Sequence, residues 1–287
     1  MPGNKAPLYA AIAMPAVFLA ATIGYPLGYA IFASLRRLNL ARQVDVFIGL
    51  RNYTAALTDP TFWNALRVTV EFALASTALE FAVGLLLALA LYSRPRFQSA
   101  IRTIVLVPMF MAPVVVALDW SFLFDPSFGP VNWLLGLVGM APQTWFASAR
   151  LALPALVAVD VWQQTGVIFV ILLAGLQAIS PEYWEAAAID GAGPWLRFRH
   201  ITWPLLKSAT VVALTLRTMF ALRTFDLMWV TTSGGPGTST QTLSVYMYKV
   251  GFSQFDLGYA NALSILLLLV IGAFTLLYSV LLRAPEI

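Results

Sequence analysis

The amino-acid sequence predicts an all-α polytopic membrane protein with six transmembrane helices. Of its 287 residues, 60% are hydrophobic and only 10% are charged, whereas a soluble domain is roughly 45–50% apolar and about a quarter charged. Apolar runs of about 20 residues, the length needed to cross a bilayer, recur along the whole chain. A soluble core could not bury this much apolar surface, so composition and run length together give the fold class.

The apolar runs define the predicted helices in order. The first run contains Pro15 and Pro26, and it is longer than the core of a signal peptide, so we expect a kinked, uncleaved helix. Six crossings place both termini on the same side of the membrane. The predicted spans are Leu8–Leu35, Val68–Tyr92, Thr103–Phe124, Leu151–Ile179, Leu205–Val230 and Leu257–Leu282.

The segments between the spans hold most of the polar residues. Arg36–Asn64 is polar and mixed, and Asp125–Arg150, rich in Gly, Pro and Trp, is expected to hold a short surface or re-entrant helix. Gly234–Thr240 (GGPGTST) lacks the lysine of a phosphate-binding loop, so we expect a flexible outer turn. The short link Ser93–Arg102 holds three arginines, which favours a cytoplasmic N-terminus.

The residue inventory excludes several kinds of site. The chain has no cysteine and a single histidine, His200, which excludes disulfides, thiolate metal sites and a His-rich metal site. The polar residues of the predicted spans form neither a nucleophile–base pair nor a set of metal ligands. An intramembrane enzyme is therefore not expected.

A compact charged segment, Pro181–Pro204 (PEYWEAAAIDGAGPWLRFRHITWP), lies between the fourth and fifth spans. Ser180 and Pro181 predict a helix start, because serine caps helices and proline fits the first helical position. Gly191 suits the left-handed residue that ends the helix. A second short helix is expected from Pro194, and Pro204 then opens the fifth span.

Two interpretations of this segment are open from its residues alone. An alanine run beside Tyr183, Trp184 and Glu185 is narrow enough to enter a groove on a partner protein. The alternative is an amphipathic helix at the lipid headgroups, anchored by tryptophans. We expect the basic residues of the second piece, Arg197, Arg199 and His200, to be headgroup-level charges rather than ligands.

The sequence Glu185–Pro204 resembles the EAA loop of binding-protein-dependent ABC importer permeases. That pattern is Glu-Ala-Ala, Asp-Gly-Ala, an aromatic residue, an isoleucine and a final proline, with Trp203 here in place of the usual leucine. NYTAALTDPTFWNAL, in the first outer loop, and FDLMWVTTSGGPGTSTQTLSVYMYKVGF, between the fifth and sixth spans, are similar to the carbohydrate-type permeases of this family.

The resemblance implies a type I ABC importer permease fold with a cytoplasmic coupling helix. It implies one permease domain over residues 1–287, with a core at about 68–283 and a first helix and outer loop at 8–67. Glu185 is expected to pair with a basic residue of an ATPase subunit, and Asp190 to brace the turn. The residues expected at the coupling contact are Tyr183, Trp184, Glu185, Ala186, Ala187, Asp190 and Gly191.

Partners also follow from the resemblance. They are a second homologous permease, a dimer of ATPase subunits that bind ATP and magnesium, and an extracytoplasmic solute-binding protein. The chain itself would bind no cofactor and would lie in the cytoplasmic (inner) membrane of a prokaryote, with both termini in the cytoplasm. The solute would be a di- or oligosaccharide or a related polyol phosphate.

Polar residues inside the spans suggest a pathway, because they are costly in hydrocarbon. Carboxylates, amides and aromatic faces suit a sugar, and Asp160 and Gln164 share a helix face. The alternative is a hydrogen-bond network between these helices and those of a partner permease. The residues predicted for the substrate pathway are Asp160, Trp162, Gln163, Gln164, Arg223 and Asp226.

Sequence spacing also predicts ion pairs. Arg223 and Asp226 are three residues apart and are expected to pair, as are Arg67 and Glu71, four apart. Glu80 and Asp119 have no local partner and are expected to face a neighbouring helix or a cavity.

The predicted function is that of a permease subunit in an ATP-driven importer, with ATP hydrolysis by a separate partner. The alternative is a stand-alone ion-coupled secondary transporter or channel, which would give Pro181–Pro204 no role.

Overall fold

The computed structural model of the chain describes residues 6–92 and 98–281. Five of the described helices are long and apolar enough to cross a membrane, and the number is six if one bent pair of helices is counted as a single span, so the predicted all-α membrane fold is confirmed. Arg94 and Arg96, which carried the orientation argument, lie outside the described residues. The helices are α1 Ala6–Leu19, α2 Tyr25–Ser34, α3 Arg51–Thr58, α4 Pro60–Tyr92, α5 Gln98–Leu106, α6 Pro113–Leu123, α7 Pro130–Leu137, α8 Ala152–Gln177, α9 Pro181–Ile189, α10 Pro194–Arg197, α11 Trp203–Leu222, α12 Asp226–Thr232, α13 Leu243–Tyr248 and α14 Leu257–Leu281.

The chain divides into two compact units. The first comprises the chain up to Trp63 together with Tyr246–Leu269, and the second comprises Asn64–Val245 together with the chain from Val270. In the first unit, α1 and α2 are joined by a π-helical turn at Ala20–Gly24.

A β-hairpin in the first unit was not predicted. Strand β1 (Arg36–Asn39) pairs antiparallel with β2 (Val44–Phe47), and Gln43 in the turn has a φ of 51°. Valine and phenylalanine favour an extended backbone. Four residues in each strand are too few to show a period-two pattern in the sequence. From its composition, the segment Arg36–Asn64 was therefore described only as mixed and polar.

Asp59 ties the end of α3 to two tyrosines in the first unit. Its Oδ2 atom accepts hydrogen bonds from the hydroxyls of Tyr246 at 2.5 Å and Tyr259 at 3.1 Å, and its Oδ1 accepts from the amide of Thr61. Burial opposes ionisation of Asp59, but the hydrogen bonds outweigh it and lower the pKa of the carboxyl below its usual value. Burial and the bond to Asp59 raise the pKa of Tyr246.

Helix α8 is the most buried of the candidate spans and organises the second unit. Glycines allow its neighbours to approach closely. A Cβ atom at Gly175 would lie 2.6 Å from the Cβ of Ala209 in α11, and one at Gly166 would lie 2.9 Å from the carbonyl oxygen of Val105 in α5. These positions therefore fix the distance from α8 to both helices.

The predicted third span, Thr103–Phe124, is not one continuous helix. The segments Ser99–Phe110 and Pro113–Leu123 meet at an angle of 98°, and Ala112 between them is extended, with φ −61° and ψ 132°. Proline disfavours the helical conformation in the residue before it and offers no amide hydrogen. Pro113 therefore breaks the span at Ala112.

The predicted fifth span is also shorter than expected. Helix α11 ends at Leu222, and α12 begins only at Asp226. The predicted range Leu205–Val230 therefore covers two helices, and residues 223–225 between them are not helical. In the long outer link between the third and fourth predicted spans, α7 supplies the expected short helix. The predicted Arg67–Glu71 pair is present, at 2.7 Å.

Candidate functional site

The polar residues of α8 form a belt between two apolar clusters. Asp160, Gln163 and Thr165 are buried, and they lie along the helix between a cluster that includes Leu156 and another that includes Leu172. With a rise of about 1.5 Å per residue, Asp160 lies roughly 12 Å from the first residue of α8 and roughly 25 Å from the last. An ionised group at that depth needs a partner.

Arg217 of α11 supplies this partner and binds a second carboxylate as well. Its Nη2 atom donates to Oδ2 of Asp160 and, at 2.8 Å, to Oε1 of Glu80 in α4, and its Nε lies 2.5 Å from Oε2 of Glu80. All three side chains are at most 6% exposed. Two carboxylates on one guanidinium join three helices, and this charge cluster of Glu80, Asp160 and Arg217 is the most deeply buried polar feature of the second unit.

A cavity of about 410 Å³ opens against this charge cluster. Five of the six predicted pathway residues line it, and Arg217 lines it in addition. Phe220 and Phe225 supply aromatic faces. The cavity is lined by Pro113, Asp160, Gln163, Gln164, Val167, Arg217, Phe220, Arg223, Thr224, Phe225, Asp226 and Leu227.

Gln163 also has a structural task. Its side-chain amide donates to the carbonyl oxygen of Met111 at 3.1 Å, at the break in the third span. A carbonyl freed by a helix break in hydrocarbon needs a new donor. This nitrogen of Gln163 therefore bonds to a neighbouring segment of its own chain.

Trp162 does not reach the cavity. Its ring lies 5.4 Å from that of Trp120 in an edge-to-face arrangement, and the two border a separate pocket of about 510 Å³ with Asp119. Asp160 and Gln164 are one turn apart, whereas Trp162 lies between them on the far side of the helix. Trp162 therefore does not line the cavity that the other five residues share, and its place in the substrate pathway stays a prediction.

The prediction that Arg223 and Asp226 form an ion pair is wrong. That prediction assumed one helix through both residues, but the helix ends between them and, among the described residues, no ion pair joins these two. The guanidinium of Arg223 instead packs over the ring of Phe220, 4.5 Å from its centroid. Such cation–π contacts hold an arginine beside an aromatic face while leaving its donors open.

The expectation that Glu80 faces a neighbouring helix is confirmed, but sequence reasoning did not identify Arg217 as its partner. The two residues are 137 positions apart, so no local spacing connects them. The sequence did show that each is an ionisable residue inside an apolar run. Such residues nearly always pair with another polar group. The sequence could not show which partner it was.

The charged segment after α8 forms the predicted helix. Helix α9 starts with Ser180 at the N-cap position, where its side chain makes no capping hydrogen bond, and with Pro181 at its first position. Gly191 has a φ of 71°, the amide of Gly191 donates to the carbonyl of Ala188, and that of Ala192 donates to Ala187. This is a Schellman ending, in which glycine adopts the left-handed conformation without strain.

Helix α9 has an inner face and an outer face. Trp184 packs against Tyr92 of α4, with ring centroids 6.0 Å apart, and Ala187 is 7% exposed. Among the remaining predicted coupling residues, Tyr183, Glu185, Ala186, Asp190 and Gly191 are all exposed, and Ile189 is 87% exposed. We call Glu185, Ala186 and Ile189 the outer face of α9.

The second part of the segment is not a separate piece. One helical run extends from Pro194 to Leu222, with a π-helical turn at Phe198–Thr202 just before Pro204. The wider turn leaves room for the proline ring, which would otherwise clash with the preceding turn. The Nε atom of Arg197 donates a hydrogen bond to the carbonyl oxygen of Ala192 at 2.7 Å. This bond stabilises the turn between α9 and α10.

The turn Gly234–Thr240 is internally bonded, in contrast to the flexible turn that we expected. The hydroxyls of Thr232 and Thr240 are 2.7 Å apart, and Thr240 donates to the carbonyl of Gly235 at 2.8 Å. Asn64 donates to the carbonyl of Thr238. The turn is therefore fastened to the start of α4.

A family of known proteins matches most of the chain. Residues 80–285 match the family described as binding-protein-dependent transport system inner membrane component. The matched region contains the cavity, all of α9 and two of the three charge-cluster helices in full.

Two relatives are similar over most of their length. The trehalose/maltose transport system permease protein MalF of Thermococcus litoralis is 41% identical over 232 residues, which cover 81% of this chain and 78% of that protein. The sn-glycerol-3-phosphate transport system permease protein UgpA of Brucella abortus is 34% identical over 95% of this chain and 93% of that protein.

A solved structure has the same fold. It is described as a bacterial alginate ABC transporter in complex with an alginate pentasaccharide-bound periplasmic protein. One of its chains matches with a TM-score of 0.83 and 22% identity, covering 97% of this chain and 94% of that chain.

Proposed function

The chain belongs to the family of binding-protein-dependent transport system inner membrane components, and we propose that it is one half of the membrane pathway of an ATP-driven importer for a carbohydrate or polyol phosphate. The observation that supports this proposal is the combination of an exposed helix, α9, between two candidate spans with a polar cavity among the candidate spans of the second unit. Relatives named for trehalose, maltose and glycerol-3-phosphate transport support the solute class.

A stand-alone secondary transporter is not favoured. Members of this family are permease subunits of ABC transporters, and such subunits are not themselves catalytic. In our proposal, ATP and magnesium are bound by a separate dimer of ATPase subunits, and a second homologous permease completes the pathway. An extracytoplasmic solute-binding protein delivers the solute, as the complex with a periplasmic protein in the alginate transporter supports.

The cavity suits a polyhydroxylated solute. The carboxylates of Asp160 and Asp226 can accept hydrogen bonds from hydroxyls, and the amide of Gln164 can both donate and accept. Phe220 and Phe225 offer apolar faces on which a sugar ring can lie. This combination of convergent polar groups with aromatic walls is typical of small-molecule sites.

Coupling to the ATPase passes through the outer face of α9. Glu185 is the charged residue of that face and can pair with a basic residue of the ATPase, and Ala186 beside it permits close approach of the two backbones. Trp184 and Ala187 lie on the inner face, so they transmit force into the permease rather than contact the partner. This assignment places α9 and both termini in the cytoplasm.

Purification and transport test the proposal together. The tagged chain is extracted from its native membrane in mild detergent, and we expect an ATPase and a second permease to co-purify. Reconstituted in proteoliposomes with its binding protein, the complex should take up a radiolabelled sugar or polyol phosphate only with ATP and magnesium on the ATPase side. A lone homo-oligomer that transports such a solute with an ion gradient and without ATP would overturn the proposal.

A further inference from the structure

A second cavity, of about 410 Å³, lies beside the β-hairpin of the first unit and contains none of the residues proposed for the solute pathway. Arg37 in β1 lies directly opposite Val46 in β2, so these two side chains share one face of the hairpin. Val44 lies on the same face, two residues before Val46. The full lining of this hairpin cavity is Arg37, Val44, Val46, Phe47, Ile48 and Arg51.

The two arginines of the hairpin cavity are not neutralised by a neighbour. The one carboxylate of the hairpin, Asp45, is already paired with Arg36 at 2.5 Å. Within residues 6–92 and 98–281, no ion pair joins Arg37 or Arg51 to an acidic residue, and both arginines are exposed. Two guanidiniums that line one cavity favour an anion, and their planar arrangement of donors matches the oxygens of a phosphate.

The hairpin is held at the ends of two candidate spans, which fixes its level relative to a membrane. Strand β1 begins two residues after the span Ala13–Ser34. The amide of Leu40 donates to the carbonyl oxygen of Phe255 at 3.0 Å, just before α14 begins. In the first turn of α14, a Cβ atom at Gly258 would lie 2.1 Å from the carbonyl oxygen of Arg36. The headgroup layer is about 5–8 Å thick on each side of the hydrocarbon, so the hairpin lies at headgroup level.

Apolar side chains continue from the end of the span onto the hairpin. Phe32 in the last turn of α2, Val46 and Phe47 in β2, and Leu50 just before α3 are all more than half exposed. An exposed apolar patch of this kind, flanked by basic residues, is typical of a surface that contacts lipid. A free phosphate ion would leave this apolar surface uncovered, whereas a phospholipid covers it with its glycerol and acyl chains.

We propose that the hairpin cavity binds the headgroup of an anionic phospholipid, such as phosphatidylglycerol. Arg37 and Arg51 donate to the phosphate, and Val46 and Phe47 pack against the glycerol and the upper acyl chain. A zwitterionic phosphatidylcholine binds more weakly, because its choline brings a positive charge next to two arginines. This inference goes beyond the proposed function and does not depend on which solute is transported.

The test counts the lipids that stay bound to the purified complex. The complex is titrated in mixed detergent micelles with dioleoylphosphatidylglycerol or dioleoylphosphatidylcholine, and native mass spectrometry gives the bound lipids. The double variant Arg37→Gln, Arg51→Gln should retain one phosphatidylglycerol fewer per copy of this chain. Each single variant should raise the mole fraction at which that molecule binds by roughly fivefold, the contribution of one basic residue near an anionic membrane surface.

A matched control separates a site from diffuse attraction. Arg42 lies in the turn of the same hairpin, is exposed and does not line the cavity. Arg42→Gln makes the same change of net charge and should leave phosphatidylglycerol retention unchanged. An equal loss in Arg42→Gln would overturn the inference, as would equal retention of the two lipids by the wild-type complex.

Two further outcomes would assign the cavity to another occupant and overturn the inference. Displacement of the phosphatidylglycerol by an equal concentration of sodium phosphate would indicate a site for free phosphate. Unchanged lipid retention in the variants of Arg37 and Arg51, together with weaker stimulation of ATP hydrolysis by the solute-binding protein, would indicate a protein-docking surface. Lipid retention is measured without transport, so failure of the inference leaves the proposed function intact.

Discussion

Replacing Arg217 with methionine should be among the most destabilising single changes in the second unit. The substitution keeps an unbranched apolar side chain but leaves the carboxylates of Glu80 and Asp160 buried without their guanidinium. Both side chains are at most 6% exposed, so water cannot take the place of the lost donors. Removing one partner of a buried ion pair costs about 3–5 kcal/mol, and total folding stability is roughly 5–15 kcal/mol.

The assay is thermal unfolding of the purified complex in detergent, followed by the fluorescence of its tryptophans. At about 2–4 °C per kcal/mol, Arg217→Met should lower the melting temperature by roughly 6–20 °C. The triple variant Glu80→Gln, Asp160→Asn, Arg217→Gln has no buried charge and should recover much of this loss. The control Arg67→Gln breaks an exposed pair worth about 0.5 kcal/mol or less. A melting temperature for Arg217→Met equal to that of the control would refute the reasoning.

Three further predictions follow from the contacts described above. Glu185→Lys should abolish co-purification of the ATPase while membrane insertion stays normal, and Glu71→Lys, on the opposite side of the membrane, should leave co-purification unchanged. Gly175→Leu forces α8 and α11 apart, because a Cβ alone would lie 2.6 Å from its neighbour, and should cost about 1–3 kcal/mol or more in a thermal melt. Tyr246→Phe should raise the pKa of Asp59 by removing a hydrogen bond. Because the folded pKa of Asp59 is lowered, its stabilising contribution is present above the unfolded value of about 3.9 and is lost as the pH falls through the folded value. The variant should therefore show less acid-dependent loss of stability below about pH 4 than the wild type.

Local signals in the sequence were enough to predict α9. Ser180, Pro181 and Gly191 each act within a few residues of their own position, so the start and the end of the helix follow from capping rules alone. Run length gave the number and approximate positions of the spans for the same reason. The break at Ala112 was also readable in principle, since proline restricts the residue before it, but apolar content alone hides it.

Long-range arrangements were not predictable in this way. The charge cluster joins residues from three helices, and its members show in the sequence only as isolated ionisable residues within apolar runs. The end of α11 at Leu222 has no proline or glycine beside it, so Arg223 and Asp226 were wrongly placed on one helix. Trp162 was grouped with Asp160 and Gln164 because the three residues are close in the sequence. Its position around the helix, however, turns its side chain away from theirs.

The uninterrupted helical run from Pro194 to Leu222 has a mechanical consequence. At about 1.5 Å per residue, Arg217 lies roughly 35 Å from Pro194 along this rod. A tilt of only about 3° about the Pro194 end would move Arg217 sideways by roughly 2 Å, which exceeds the tolerance of a hydrogen bond. A small displacement of the segment before Pro194, where we propose that an ATPase docks, would thus be amplified into the breaking or forming of contacts at Arg217.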